Sequence, residues 1–366
     1  MPLPSMRISV GSLPTASPEP SSSSQKNNPE PAFLSPSQGR SKVFCISNKK
    51  VISAAFTINR MLLCSMLQEL VCTVTGKKNT TKAWRSLIKT GAQGDVVGIK
   101  VATEPGLLSG THRELVQALI EELKTAGVLP KKILVWDRRE QDLQSAGYLL
   151  ESGFQLQWIE HGSGYDAEQT FSSPLVGQLM YGDFEFREAP HSFEEWREHT
   201  QNQLSNESHY AWLLTQRIDK VINVSSLCDS SYCGINGSLE NMTLGVIDNW
   251  RRFIKAPYFG DPTIPKLYAT DFIKNKIIFT IIDGLAMQYA GGPGADPAHT
   301  IPYGALLASQ DPVAVDATGL QLLNNERQKQ KFPSIGPLAS HIESAEALGL
   351  GHAAEKDIDV VWRKKF

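Results

Sequence analysis

The sequence lacks a strong charge of either sign. Its 36 lysines and arginines stand against 38 aspartates and glutamates, a formal net charge of -2, so no basic excess favours nucleic acid as a partner. It also lacks any run of about eighteen or more apolar residues, which argues against an integral membrane protein. Cysteine is scarce. Cys45, Cys64, Cys72, Cys228 and Cys233 do not form the paired series of a small secreted scaffold, and a reduced compartment is the simpler expectation. No internal repeat is evident. What remains is a chain of 366 residues, 41% hydrophobic and 20% charged, long enough for a substantial core and too apolar for wholesale disorder.

Residues 11–40 contain eight serines and six prolines, a composition that does not offset the entropy of ordering. Residues 1–40 therefore read as a disordered leader or linker, with processing or export of that leader left open. From Ser41 to Phe366 the texture is that of an α/β domain. Val43–Ser47 reads as a first strand, and Ile58–Val74 as a core helix stopped by Gly76, which accepts the left-handed conformation of a helix end. Trp84 and Leu87 suggest another packed segment.

The strongest local unit runs from Asp95 to Asp137. Val96–Val101 has the apolar content of a buried strand, and Thr111-His112-Arg113-Glu114 fits a capping box. Leu115, Leu119 and Leu123 with Val116 and Ile120 form an apolar helical face, Gly127 ends the helix, and Ile133–Asp137 is a second strand. Strand, crossover helix and strand imply parallel pairing. Further strands are expected at Lys220–Val224, followed by a polar loop, at Ile277–Asp283 and at Gly304–Ser309. A helix is expected over Asp311–Leu323, with Pro312 in its first turn. The fold class is α/β, a mainly parallel Rossmann-like sheet with crossover helices and an inserted segment. That insertion or small subdomain spans residues 163–217, with Phe184 and Phe186 on one strand face and a helix starting at Ser192-Phe193-Glu194-Glu195.

Ligands of parallel sheets bind at the C-terminal ends of strands. Lys100 lies near such an end, Asp137 closes another, and His112 and Glu114 stand at the helix start between them. A lysine there suits an anionic group, Asp137 and Asp283 suit orientation or a divalent metal, and His112 suits proton transfer as the catalytic candidate. Asn223 and Asn241, with Ser225 and Thr243, offer directional hydrogen bonds to a polar ligand. Cys228, Asp229 and Cys233 form a candidate metal or redox group. The same residue types also cap helices and turns, and Asp311 fits that use at the later helix, with Asp316 in its interior. The Gly291-Gly292-Pro293-Gly294 loop lacks the Lys-Ser or Lys-Thr ending of a nucleotide-binding P-loop, so it reads as a tight connection.

Lys100, His112, Glu114 and Asp137, with Arg217–Val224, Asn241–Val246, Ile282-Asp283-Gly284, the glycine loop and Asp311–Asp316, form a pattern that resembles proteins of the DUF362 family over most of residues 43–323. The resemblance implies an α/β fold, in some members with an iron-sulfur module, and no common reaction. This chain lacks the closely spaced cysteines of an attached ferredoxin cluster. After Asn223 it reads Ser225–Cys233, where members commonly carry a Pro-Lys-Leu-Lys-Thr-His type of stretch. Three readings follow. The first is an enzyme or enzyme-associated protein acting on a small polar or anionic ligand. The others are a metal-sensitive or redox-partner protein without turnover, and a structural interaction protein. The sequence names no cofactor and no protein partner.

Overall fold

The computed structural model describes residues 39–149, 155–173 and 207–364. The proposed leader lies outside the described residues except for its last two, as do Phe184, Phe186 and the helix start at Ser192. Eleven strands are described: β1 (Ser41–Ser47), β2 (Val97–Val101), β3 (Ile133–Asp137), β4 (Gln155–Trp158), β5 (Tyr165–Ser172), β6 (Glu207–Ala211), β7 (Lys220–Ser230), β8 (Gly234–Ile235), β9 (Ile277–Gln288), β10 (Thr300–Ser309) and β11 (Ile358–Lys364). The main sheet has the order β11-β1-β10-β9-β7-β2-β3-β4, with β8 beside β7. The run β9-β7-β2-β3-β4 is parallel throughout, and β10 runs against both of its neighbours. This is a Rossmann-like α/β arrangement. Within the 163–217 segment, β5 and β6 pair antiparallel as a separate two-stranded sheet.

Each face of the main sheet is apolar and covered. Val97, Ile99, Val101, Val135, Ile222 and Val224 pack on one side with the helices Arg60–Thr75, Thr80–Leu87 and Arg113–Ala126. Leu134, Trp136 and Val221 belong to the other side, covered by the helix Pro312–Lys329 and by residues 238–274. Strands buried on both faces need near-continuous apolar sequence, and β2 and β3 are buried at every position. Gly76 and Gly127 end their helices at φ 66° and 100°. Among the described residues no helix is long and apolar enough to cross a membrane.

Two local expectations are corrected. The helix after β2 starts from His112, without a side-chain cap. The Thr111 hydroxyl is used elsewhere: it donates to the Val224 carbonyl at 2.7 Å and accepts from the Ala102 amide at 3.0 Å, tying the chain just after β2 to the middle of β7. The polar loop expected after Val224 is instead a continuation of β7 to Ser230, with Ser225–Ser230 buried. Those serines stay in the ladder because β9 runs beside them, Ser225 opposite Ile282 and Ser226 opposite Asp283.

The connections from β2 and β7 leave on opposite faces of the sheet. From β2 the chain passes through the helix Arg113–Ala126 on one face to β3. From β7 it passes through residues 238–274 on the other face to β9. Adjacent parallel strands whose connections leave in opposite directions form a topological switch point, the usual ligand crevice of open α/β sheets. Here it lies beyond the C-terminal end of β2, where Val101 stands opposite Val224 within β7.

Candidate functional site

Lys100 sits on the sheet face covered by residues 238–274, in register between Trp136 of β3 and Asn223 of β7. It is 1% exposed. Its Nζ donates to Asp137 Oδ1 at 2.6 Å, to Asn241 Oδ1 at 2.8 Å and to the Val101 carbonyl at 3.0 Å. An ammonium has three N–H donors, so all are engaged. Asp137 also accepts from the Thr103 amide and hydroxyl and from the Arg138 amide. Burial pushes its pKa up, but the Lys100 charge and these donors outweigh burial and hold it below the ordinary carboxylate value. The Asn241 amide donates to Asn223 Oδ1, and the Asn223 amide donates to the Ser238 carbonyl, each at 2.8 Å. A Cβ on Gly245 would stand 3.3 Å from Lys100 Nζ, so the chain passes the lysine with little room for a side chain.

His112 and Asp283 form a separate pair. Asp283 Oδ2 accepts from the His112 amide at 2.8 Å and lies 2.9 Å from His112 Nδ1, while Oδ1 accepts from the Leu285 amide. Burial lowers the His112 pKa, yet the Asp283 carboxylate raises it above the ordinary histidine value. Asp283 is in register with Ser226, three positions after Asn223. An odd spacing along a strand reaches the opposite face, so the sheet divides the expected constellation. Lys100, Asp137, Asn223 and Asn241 meet on one face, and His112 with Asp283 on the other.

Sequence reasoning missed the charged groups directly after the strand ends. Glu104 follows β2, Arg138 and Arg139 follow β3, and Glu160 follows β4. The Arg138 guanidinium lies 3.5 Å from both Glu104 and Glu160 and 4.1 Å over the Trp250 ring. Arg139 reaches Glu104 at 3.6 Å, and the Tyr232 hydroxyl donates to Glu104 at 3.3 Å. Burial pushes that phenol up to about 12. Glu240, beside Asn241, is 8% exposed. Burial, then the Glu104 charge, push its carboxyl up to about 7, with Arg138 and Lys100 pulling the other way. The available signal was positional: residues just beyond successive parallel strands face the crevice.

The helix Ser238–Asn241 that carries Glu240 and Asn241 is pinned from below. Asp316 accepts from the Ser238 and Leu239 amides at 2.7 and 2.9 Å, and burial pushes its carboxyl up to about 6. Gly237 permits that approach, because a Cβ there would fall 2.6 Å from the Asp316 carboxyl. Thr243 donates to the Leu239 carbonyl within the same turn. The Ser225 and Ser226 hydroxyls are buried without a hydrogen-bond partner among the described residues.

The cysteine group is differently placed. Cys228 and Cys233 are buried free thiols that donate separately to the carbonyls of Asp229 and Ile235. Burial pushes both thiols well up, away from the thiolate that nucleophilic or redox chemistry needs. Asp229 turns to the glycine loop, accepting from the Gly292 amide at 2.9 Å and facing Arg327 at 3.6 Å. Among the described residues no group of three or more His, Cys, Asp or Glu side chains is placed to hold a metal ion.

Residues 97–321 match the sequence profile of the domain of unknown function DUF362, a span running from β2 into the helix Pro312–Lys329. No curated protein matches the chain. Among solved structures, a crystal structure of a Thermotoga maritima protein from the Northeast Structural Genomics Consortium is similar over 79% of this chain, at 11% identity and a TM-score of 0.38. The chain spans 59% of that protein's length.

Proposed function

As the chain belongs to the DUF362 family, a domain family of unknown function, we propose that it is an enzyme or enzyme-associated protein acting on a small polar ligand held beyond the C-terminal ends of β2 and β3. One observation carries this reading. Glu240 is a buried carboxyl on a turn held by Asp316 and, through Asn241, by Lys100, and burial followed by the Glu104 charge pushes its pKa up to about 7. A carboxyl that exchanges its proton near neutrality is suited to general acid-base work.

The other residues then have supporting roles. Lys100 ties Asp137 to Asn241 and so fixes the turn that presents Glu240; it is a positioning residue. Full engagement of its Nζ favours a polar ligand over an anion bound to Lys100 itself. Arg139, paired with Asp142 at 2.6 Å, and Tyr232, bonded to Glu104, are both partly exposed, and a ligand hydroxyl or carboxylate would meet them by sharing these bonds.

The test is NMR on protein labelled at the glutamate carboxyls, with polyols, amino acids, amines and inorganic phosphate added one class at a time. One class should shift the Glu240 signal between about pH 6 and 8, and E240Q should lose that binding while keeping its fold. A Glu240 carboxyl that titrates at the ordinary value of about 4.3, or binding that survives E240Q unchanged, overturns the reading.

A further inference from the structure

The outermost strand of the main sheet carries a pattern that the crevice does not use. β11 pairs with β1 on one side only, and among the described residues no strand covers its outer edge. An open edge of unpaired N–H and C=O groups is a template for another strand, and folded proteins commonly blunt it with charge of one sign. β11 is blunted differently. Its sequence is Ile358-Asp359-Val360-Val361-Trp362-Arg363-Lys364, acidic before Val361 and basic after it. Val360 and Trp362, flanking that centre, are 36% and 39% exposed.

We propose that β11 is a self-association edge, on which a second copy of the chain pairs antiparallel about Val361. Antiparallel pairing about that residue sets Val361 opposite itself, Val360 opposite Trp362, and Asp359 opposite Arg363. Every opposed pair near the centre is thus apolar with apolar or acid with base, the combinations that stabilise cross-strand neighbours. Like-sign edges repel when they meet their own copy; this edge attracts it.

Both faces of the strand support the same register. On one face Asp359 already pairs with Arg40 at 2.9 Å and Arg363 with Glu69 at 3.2 Å, all four side chains being partly exposed. Across the joint they form a row of alternating sign, Arg40, Asp359, then Arg363 and Glu69 of the second copy. On the other face Ile358 and Val360 line a groove of about 560 Å³ with Ala317, Leu320 and Ile342. Directly opposed residues share a face, so Trp362 of the second copy lies beside Val360, at the mouth of this groove. A two-fold contact of this kind is self-complementary by construction.

The experiment is sedimentation of the full chain with charge swaps, joined to a cysteine cross-link. Wild type should dimerise at tens of micromolar. D359R and R363D, each placing like charges opposite one another twice per dimer, should each weaken association by about tenfold or more, and the double variant D359R/R363D should recover most of it. V361C should cross-link to itself under mild oxidation, whereas D359C should cross-link to R363C in a mixture and not to itself. A wild type that stays monomeric up to about 100 µM, a scale on which specific interfaces form, overturns the proposal. So does a dimer indifferent to D359R, a double variant that does not recover, or the absence of a V361C cross-link.

Discussion

A buried lysine is tolerable only when its charge is answered, and Lys100 is answered completely by Asp137, Asn241 and a carbonyl. Removing one member of such a pair leaves the other charged and unpaired in the core, at a cost of about 3–5 kcal/mol. K100M should therefore lose that much stability in urea unfolding. K100M/D137N should lose less, because the uncompensated carboxylate is gone; the amide's single oxygen can still serve the two Thr103 donors, while the Arg138 amide loses its acceptor. Equal losses in the single and double variants would mean that the lysine contributes through packing alone. Lys100 and Asp137 drew attention in the sequence because both stand at the ends of expected parallel strands. Glu240 did not. Its proton affinity is set by burial and by Glu104 and Arg138, which join it only through the sheet order.

Elements read well where their signals are local and less well where a distant strand decides. The helix Pro312–Lys329 was legible to its first turn, since Asp311 caps it, accepting from the Val313 and Ala314 amides at 2.8 and 2.9 Å. The same carboxylate accepts from the Ser41 hydroxyl and the His352 amide, so it also fastens β1 and the approach to β11. D311A should cost at least about 2 kcal/mol, the upper end for a helix cap, and D311N should retain most of it; thermal unfolding of the two variants checks the order. The capping box at Thr111 and the loop after Val224 misled for one reason. At Thr111 the hydroxyl is committed to β2 and β7, and after Val224 the backbone of the serines is committed to the ladder with β9. No local pattern records either commitment.

For the whole molecule, the dependence of stability on pH is a sum of opposing parts. His341 is fully buried, both ring nitrogens lack a hydrogen-bond partner among the described residues, and burial drives its pKa down to about 3. The unfolded chain, with a histidine pKa of about 6.5, binds a proton that the fold refuses between those values, so this residue lowers stability as pH falls below about 6.5. Glu240 and Asp316 act in the other direction. Their raised values, about 7 and about 6, mean that the fold holds protons the unfolded chain has released, and they contribute stability that is lost as pH rises through those values. His112, also raised, stabilises below about 6.5 and loses that contribution as pH climbs through its folded value. Because these terms partly cancel, the wild-type profile alone does not isolate any of them; the difference between two proteins does. H341L removes this contribution and leaves the others in place. Between about pH 7.5 and 5, its stability relative to wild type should rise by about 2 kcal/mol, the linkage expected for a site with an unfolded pKa of about 6.5 that stays neutral in the fold. Urea unfolding of both proteins across that range measures the difference directly. Parallel profiles would mean that His341 takes up its proton in the folded state, through an opening of the core around it.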